Sequence, residues 1–389
     1  MTLPIYLDNQ ATTPCDPRVV EKMLPYFTAE FGNSSSVSHV FGQRAQKAVV
    51  EAQKHVSALI GADDPKSIFF TSGATESNNI AIKSIMFGYG ETGHLITTAT
   101  EHKAILDPAE FVASKGYDVD VLPVNEFGQV SPDLVSRSTN ELTRVVSAIY
   151  ANNETGSLND VTSIAKICGE RNMLFHTDAT QAAGRVEINC AKQGIDLLSL
   201  SGHKLYGPKG IGALYCRKRA RGIKLEPLQH GGGHQNKVRS GTLPVALIVG
   251  LGEACRLAKL EFDKDRSAAK MLSDLLKNKL GQEFESIRFN GHETERIDNN
   301  IHLTIPGINS EALIHKLKDS VAISTGAACT TAAPEPSHVL LAMGLDKNSI
   351  NSSVRIGTGR FTTTGDLQSA AEEIIRAAQS LVKIGAITR

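Results

Sequence analysis

The chain has 389 residues, of which 41% are hydrophobic, so it is long enough for two globular domains and apolar enough to pack their cores. Lys plus Arg and Asp plus Glu each number 41, and the net charge of zero argues against an extended basic surface for nucleic acid. No apolar run approaches the length of a membrane span, and the N-terminus lacks the charged start and apolar block of a signal peptide. We therefore expect no direct nucleic-acid partner and no membrane partner.

The cysteines are scattered along the chain without CxxC spacing, which argues against a disulfide framework and against a zinc site. They are Cys15, Cys168, Cys190, Cys216, Cys255 and Cys329. We expect reduced thiols, a cytoplasmic location and no bound metal.

Apolar runs rich in β-branched residues alternate with amphipathic segments through the first two thirds of the chain. The predicted strands are Ser67–Thr71, His94–Thr97, Asp118–Pro123, Arg144–Ala151, Leu174–Thr177, Leu197–Leu200 and Gly212–Cys216. Gln43–Leu59 and Val161–Arg171 have the period of helices. This alternation predicts an α/β domain with a largely parallel sheet.

A long helical pattern from Val245 to Leu280 leads out of this domain. The remainder of the chain mixes strands and helices: Asn300–Ile305, Ser310–Lys318, Val321–Ser324, Val354–Ile356 and Asp366–Lys383. We expect a large domain over 15–260 and a smaller α+β domain formed by 1–14 and 261–389. The smaller domain would carry a cysteine-containing loop at about 324–336.

Two segments that follow predicted strands are candidates for ligand binding. Thr71–Asn79, with the sequence TSGATESNN, opens a helix; its glycine, hydroxyls and helix N-terminus suit a phosphate, although an ordinary helix N-cap has the same features. His102 follows His94–Thr97 and could stack on a cofactor ring and transfer protons, or be a hydrogen-bonded structural histidine.

Lys204 and Asp178 form the most informative pair. Lys204 lies between an apolar strand and a glycine-rich turn, where desolvation disfavours the ammonium form and favours a nucleophilic amine that can form a Schiff base. Asp178 ends another apolar run. Ligands of open α/β sheets bind at the carboxyl ends of the strands, where both residues fall. A Schiff-base lysine and an aspartate facing a pyridinium nitrogen are the pair that pyridoxal 5'-phosphate (PLP) chemistry requires.

Three later segments carry further candidates. Gln229–Thr242 is glycine-rich and basic and could cover an anion; its two histidines are poorly placed for a metal because three glycines oppose a helix. Ser324–Pro336 is rich in small residues and contains Cys329, which suits a thiol that reaches both a substrate and a partner. Arg355 could clamp a carboxylate, or form an ordinary surface ion pair.

Together these motifs resemble the PLP-dependent cysteine desulfurases of the IscS/NifS type. The similarity runs from Tyr6 to Thr363 and includes the segments TSGATESNN, SGHKLYGPKG and RSGTLP. The resemblance implies a fold-type-I PLP-dependent transferase: a large domain with a mainly parallel seven-stranded sheet, a smaller α+β C-terminal domain, and a homodimer.

The resemblance also implies a role for each matched residue. Lys204 would be the Schiff-base lysine, Asp178 the partner of the pyridine nitrogen, Gln181 a contact of the ring hydroxyl, and His102 a catalytic residue that stacks on the ring. Cys329 would be the catalytic cysteine that accepts sulfur.

The remaining matched residues divide between the cofactor phosphate and the substrate carboxylate. Those implied at the phosphate are Ala74, Thr75, Ser201, His203 and, from the second subunit, Thr242. Those implied at the substrate carboxylate are Asn33, Asn153 and Arg355.

The implied reaction converts L-cysteine to L-alanine and leaves a persulfide on Cys329 for delivery to a sulfur-acceptor protein. Iron–sulfur cluster assembly and another sulfur pathway, such as DNA phosphorothioation, both remain open as its purpose. The alternative is another PLP reaction, such as selenocysteine lysis or transamination. A non-catalytic adaptor is disfavoured because it would not need Lys204, Asp178 and Cys329 together.

Overall fold

A seven-stranded sheet organises the computed structural model, which describes residues 3–218, 223–326 and 336–387, with side chains up to residue 381. The strands of the described chain are β1 (Ile5–Tyr6), β2 (Ile68–Thr71), β3 (His94–Thr98), β4 (Asp118–Leu122), β5 (Thr143–Ser147), β6 (Leu174–Asp178), β7 (Leu197–Ser201), β8 (Gly212–Cys216), β9 (Arg288–Asn290), β10 (Asn300–Thr304), β11 (Val321–Ala322) and β12 (Ser353–Gly357). The large sheet has the order β2-β8-β7-β6-β5-β3-β4. Within it β8 runs antiparallel to both of its neighbours, and the other adjacent strands run parallel. The predicted α/β architecture with a mainly parallel seven-stranded sheet is confirmed.

The helices connect and cover these strands. They are α1 (Pro17–Met23), α2 (Pro25–Thr28), α3 (Val40–Ile60), α4 (Ala74–Asn79), α5 (Ile85–Gly88), α6 (Lys103–Ala113), α7 (Pro132–Ser138), α8 (Val161–Glu170), α9 (Cys190–Gln193), α10 (Val245–Leu260), α11 (Phe262–Glu283), α12 (Ser310–Leu317), α13 (His338–Ala342), α14 (Lys347–Asn351) and α15 (Thr364–Ile387). Among the described residues, no helix combines the length and the apolar character needed to cross a bilayer.

The central strands of the large sheet are buried on both faces, to which their successive side chains point alternately, whereas the edge strand β4 is largely exposed. Ile96 and Phe175 belong to one apolar core with α3, α8 and α10, whereas their neighbours Leu95 and Leu174 belong to a second core with α5 and α6. This explains why the strands read as continuous apolar runs and not as alternating ones.

A further core lies in the C-terminal part of the chain. It joins α11, α12 and α15 to the antiparallel sheet β12-β10-β9 and includes Leu7 from the N-terminus, next to the short pairing of β1 with β11. The division into domains at 15–260 and at 1–14 with 261–389 stays a prediction.

The long helical pattern from Val245 to Leu280 forms two helices, α10 and α11, that meet at Glu261. The backbone of Glu261 leaves the helical region, with φ −101° and ψ 13°. Its carboxylate accepts a hydrogen bond from Arg18 Nη1 at 2.7 Å and lies 3.5 Å from Arg360 Nε. The break between α10 and α11 therefore coincides with contacts of Glu261 to Arg18 and Arg360, which are distant in the sequence.

Candidate active site

A cavity of about 600 Å³ opens at the carboxyl ends of β2, β3, β5, β6 and β7. Its volume lies in the range typical of small-molecule sites. Ten of the predicted site residues line it: Ala74, Thr75, His102, Asn153, Asp178, Gln181, Ser201, His203, Lys204 and Arg355. The large sheet brings nine of them together, since these strands end at one edge of the sheet, and Arg355 comes from β12 of the C-terminal sheet.

Lys204 ends a single 3-10 turn, Gly202–Lys204, that directly follows β7. Its Nζ donates hydrogen bonds to the main-chain oxygens of Gln10 and Ala11, the second at 2.8 Å. Its own carbonyl oxygen accepts a hydrogen bond from Arg185 Nη2 at 2.9 Å. The amine is thus held at the cavity wall by an N-terminal segment almost two hundred positions away in the chain.

Asp178 is the last residue of β6 and is only 3% exposed. Asn78 Nδ2 donates to its Oδ2 at 2.7 Å, and the Thr180 N–H donates to its Oδ1 at 2.9 Å. These two hydrogen bonds fix the orientation of the carboxylate at the cavity wall.

His102 is the N-cap of α6, and its Nδ1 accepts a hydrogen bond from the Ala104 N–H at 3.0 Å. Burial lowers the pKa of His102, and the opposing charge of Asp178 only partly offsets that effect. The neutral ring with Nδ1 as acceptor carries its proton on Nε2.

The helical run that begins with α4 starts at the cavity wall, with Gly73 as its N-cap. A Cβ at Gly212 would lie 2.7 Å from Gly73 Cα, so the backbones of β8 and this turn touch where only glycine fits. Ser201 and His203 approach from β7 on the other side. Burial, followed by the charges of Lys204 and Lys209, lowers the pKa of His203 to about 4, so its ring is a neutral hydrogen-bonding group here.

Arg355 lies on β12 and is 4% exposed. Its Nη2 contacts Asp8 Oδ1 at 2.9 Å, and its Nη1 donates to the Asn153 main-chain oxygen at 3.0 Å. Arg355 therefore forms an ion pair, but a buried one and not the surface pair predicted as its alternative role, and the guanidinium borders the cavity.

Several buried polar atoms of the cavity-lining side chains have no hydrogen-bond partner among the described residues. They are Gln10 Oε1, Asn78 Oδ1, Asn153 Oδ1, Thr180 Oγ1 and Arg355 Nε. Buried polar atoms without partners are costly in a folded protein. Their concentration around one cavity indicates a polar ligand with both donors and acceptors.

The remaining predicted site residues are elsewhere. Asn33 is exposed, away from the cavity, and its Oδ1 accepts from the Ser35 N–H at 2.9 Å. Thr242 is exposed and also lies away from the cavity of this chain. Cys329 lies outside the described residues. All three assignments stay predictions.

Sequence reasoning overlooked part of the cavity wall. Gln10, Ala11 and Thr12 line it, as does Asn78, which holds Asp178. Two signals were available: Asn78 belongs to the segment TSGATESNN, and the other three belong to the N-terminal segment that carries the family resemblance.

Burial disfavours the reactive thiolate form at four of the described cysteines. Burial raises the pKa of Cys216 and of Cys255 to about 12, and it also raises the pKa of Cys190 and of half-buried Cys15. A raised pKa lowers the thiolate fraction, which is the reactive form.

Glu101, next to His102, is a fully buried acid whose Oε1 accepts hydrogen bonds from the Ile149 N–H at 2.7 Å and from Thr98 Oγ1 at 2.9 Å. Burial raises its pKa from 4.5 to about 8, and the charge of Asp178 adds to the effect. The folded protein therefore keeps this proton at pH values where the unfolded chain has lost it.

This difference predicts a pH-dependent contribution to stability. The contribution of Glu101 is full below its unfolded pKa of 4.5 and is lost as the pH rises towards 8. In urea unfolding, the Glu101→Gln variant should lose less free energy of unfolding between about pH 5 and about pH 8 than the parent protein. Equal losses in the two proteins would contradict the assignment of the proton to Glu101.

The sequence and the fold of the chain are both similar to those of known proteins. The sequence profile described as aminotransferase class-V matches residues 5–369. Cysteine desulfurase IscS of Rickettsia akari (strain Hartford) is 44% identical over 385 residues, which cover 99% of this chain and 93% of that protein. A solved NifS-like protein is similar with a TM-score of 0.90 at 30% identity, over 97% of this chain and 100% of that one. A structure described as SspA in complex with cysteine has a TM-score of 0.82 at 35% identity, over 93% and 100% of the two chains.

Proposed function

Since the chain belongs to the aminotransferase class-V family, with close similarity to proteins named cysteine desulfurase, we propose that it is a PLP-dependent cysteine desulfurase. It converts L-cysteine to L-alanine and transfers the sulfur to Cys329. The observation that carries the proposal is the meeting of Lys204, Asp178 and His102 around one cavity.

The side chains that line the cavity carry the functional groups that PLP binding requires. Lys204 would hold the aldehyde end, Asp178 the pyridine nitrogen, Gln181 the ring hydroxyl, and His102 the face of the ring. The phosphate would lie near the N-terminus of α4, where Ala74, Thr75, Ser201 and His203 border the cavity. When bound, PLP supplies an electron sink for the pair of electrons left at the substrate Cα after its proton is removed.

The protein's own residues handle the protons. Lys204 would take the Cα proton once its amine is free, and its contacts with the oxygens of Gln10 and Ala11 keep that amine at the wall of the cavity. His102 is neutral and holds a proton on Nε2, so it can exchange one with the substrate thiol.

The sulfur step belongs to Cys329. Its thiolate attacks the substrate sulfur, an S–S bond forms, and the substrate Cβ–S bond breaks. The electron pair leaves with the carbon fragment, which gains protons to become alanine, while Cys329 keeps the sulfur as a persulfide. The overall reaction is balanced: cysteine and one thiol give alanine and one persulfide.

The substrate carboxylate would be held by Arg355 and Asn153. Arg355 Nε is a buried donor with no hydrogen-bond partner among the described residues, and both side chains border the cavity, where Asn153 would donate through its amide N–H group. A guanidinium binds a carboxylate through charge-assisted hydrogen bonds. We also propose Asn33 as a contact of the substrate carboxylate. Asn33 does not line the cavity of its own chain, so it would have to contact the substrate from elsewhere.

We propose a homodimer, in which Thr242 reaches the phosphate of the other subunit. An exposed apolar patch supports an interface between copies: Leu24, Phe27, Phe31, Val37 and Phe41 are each at least 45% exposed. The rings of Phe31 and Phe41 stack with centroids 5.5 Å apart. Patches of this kind usually mark contact surfaces.

The persulfide would pass to a sulfur-acceptor protein, in iron–sulfur cluster assembly or in another pathway such as DNA phosphorothioation. We place the reaction in the cytoplasm because the cysteines within the described ranges are free thiols, as expected in a reducing compartment.

The Cys329→Ala variant separates desulfuration from other PLP reactions on this fold. We expect it to bind PLP and L-cysteine but to lose at least about a hundredfold in alanine formation, because no thiol attacks the substrate sulfur. Alanine is measured by chromatography, with Cys15→Ala as the matched control that keeps parental activity. Full alanine formation by Cys329→Ala would overturn the proposal, and preferential turnover of selenocysteine by the parent protein would favour the lyase alternative.

A further inference from the structure

Glu154 is a buried acid that the proposed reaction does not use. It lies in the loop after β5 and is 2% exposed. It contacts the described residues on both sides of 327–335, the segment that contains Cys329.

On the C-terminal side of this segment, Glu154 is hydrogen-bonded to Ser337. Ser337 Oγ donates to Glu154 Oε2 at 2.6 Å, a short distance for a hydroxyl on a carboxyl group. The same Oγ accepts the Leu340 N–H at 3.1 Å and so caps α13. Glu154 therefore holds the start of α13 through its cap residue.

On the N-terminal side, the carboxyl group of Glu154 packs against Gly326. A Cβ at Gly326 would lie 3.3 Å from Glu154 Oε2 and 3.4 Å from Glu154 Cγ. The φ of Gly326 is +93°, a conformation that favours glycine. One carboxyl group thus lies against a residue on each side of the segment that contains Cys329.

Glu154 is itself firmly placed. Its N–H donates to Asn152 Oδ1 at 2.9 Å, and Asn152 Nδ2 donates to the Thr100 main-chain oxygen at 2.9 Å. Burial raises the pKa of Glu154, so a neutral side chain with the same acceptor geometry is a suitable replacement.

We propose that Glu154 is a positioning residue for the sulfur step, because it holds Gly326 and Ser337, which lie on either side of Cys329 in the sequence. This rests on the proposed function of Cys329. Glu154 does not touch the reacting atoms; it acts through the two flanking residues.

The test compares Glu154→Ala, which removes the acceptor, with Glu154→Gln, which keeps it, and uses exposed Glu126→Ala as the control. Binding of L-cysteine is followed through the absorbance of the bound cofactor, and sulfur on Cys329 is followed by rapid quenching and peptide mass spectrometry. We expect Glu154→Ala to form the persulfide at least about tenfold more slowly with unchanged cysteine affinity, because a misplaced reacting group costs rate and not binding. Glu154→Gln and Glu126→Ala should match the parent protein.

Hydrogen exchange of the cofactor-free proteins gives a second, independent result. In Glu154→Ala, amide exchange should increase in peptides covering 323–326 and 336–343 and stay unchanged in β5 and β6. Parental persulfide rates in both Glu154 variants would overturn the inference and leave the proposed function intact. A parent protein that never gains sulfur on Cys329 would overturn the proposed function. Unchanged amide exchange in peptides 323–326 and 336–343 of Glu154→Ala would overturn the positioning role of Glu154, whatever the persulfide rates.

Discussion

The Lys204→Ala variant should lose desulfurase activity by at least about a thousandfold, because in the proposed mechanism one amine would both hold the cofactor and remove the substrate proton. Alanine has no group that can do either. The loss should appear in kcat, measured as alanine released per minute at saturating L-cysteine. The fold should persist, since the substitution removes the hydrogen bonds from Nζ to the carbonyl oxygens of Gln10 and Ala11 but keeps the main-chain oxygen of residue 204, which accepts from Arg185 Nη2.

The matched control is Lys192→Ala, which removes an exposed lysine from α9. It should retain parental activity and parental thermal stability. Reduction of the loaded parent protein with borohydride, followed by peptide mapping, should place the cofactor on Lys204. A Lys204→Ala protein that still turns over L-cysteine at the parental rate would refute the assignment of both roles.

The Asp178→Asn variant should lose about a hundredfold in kcat, with a small change in the affinity for the substrate. An amide keeps the size of the side chain but removes the negative charge that would hold a proton on the pyridine nitrogen. The cofactor would then be a weaker electron sink. The absorbance of the bound cofactor should also shift, which a purely structural defect would not explain.

Asp133→Asn is the control for this variant, since Asp133 is an exposed carboxylate in the first turn of α7. Because Asn78 and the Thr180 N–H both donate to Asp178, some loss of stability is also expected, and both variants are therefore compared by thermal unfolding. Parental kcat with a parental spectrum in Asp178→Asn would show that this carboxylate does not face the cofactor.

Local sequence patterns correctly predicted the large sheet and the location of Asp178 and Lys204 at one edge of it. Apolar runs gave the seven strands of the large sheet to within a few residues, and the rule that ligands bind at the carboxyl ends of strands placed both side chains at one edge. The direction of β8 was not predictable in this way, because an apolar run reads the same in a parallel and an antiparallel strand.

Contacts between residues that are far apart in the sequence could not be predicted from local sequence patterns. Arg355 pairs with Asp8, which lies 347 positions earlier, and Lys204 reaches the oxygens of Gln10 and Ala11. Neither contact follows from periodicity or spacing, since each depends on how the N-terminal segment lies against the rest of the folded chain.

The most direct test of the account is mass spectrometry of the PLP-loaded protein after brief exposure to L-cysteine without reductant, followed by peptide mapping. The account predicts one or more added sulfur atoms on Cys329, with release of an equal amount of alanine per added sulfur in the first turnover. A PLP-loaded protein that binds L-cysteine but never gains sulfur on Cys329 would contradict it.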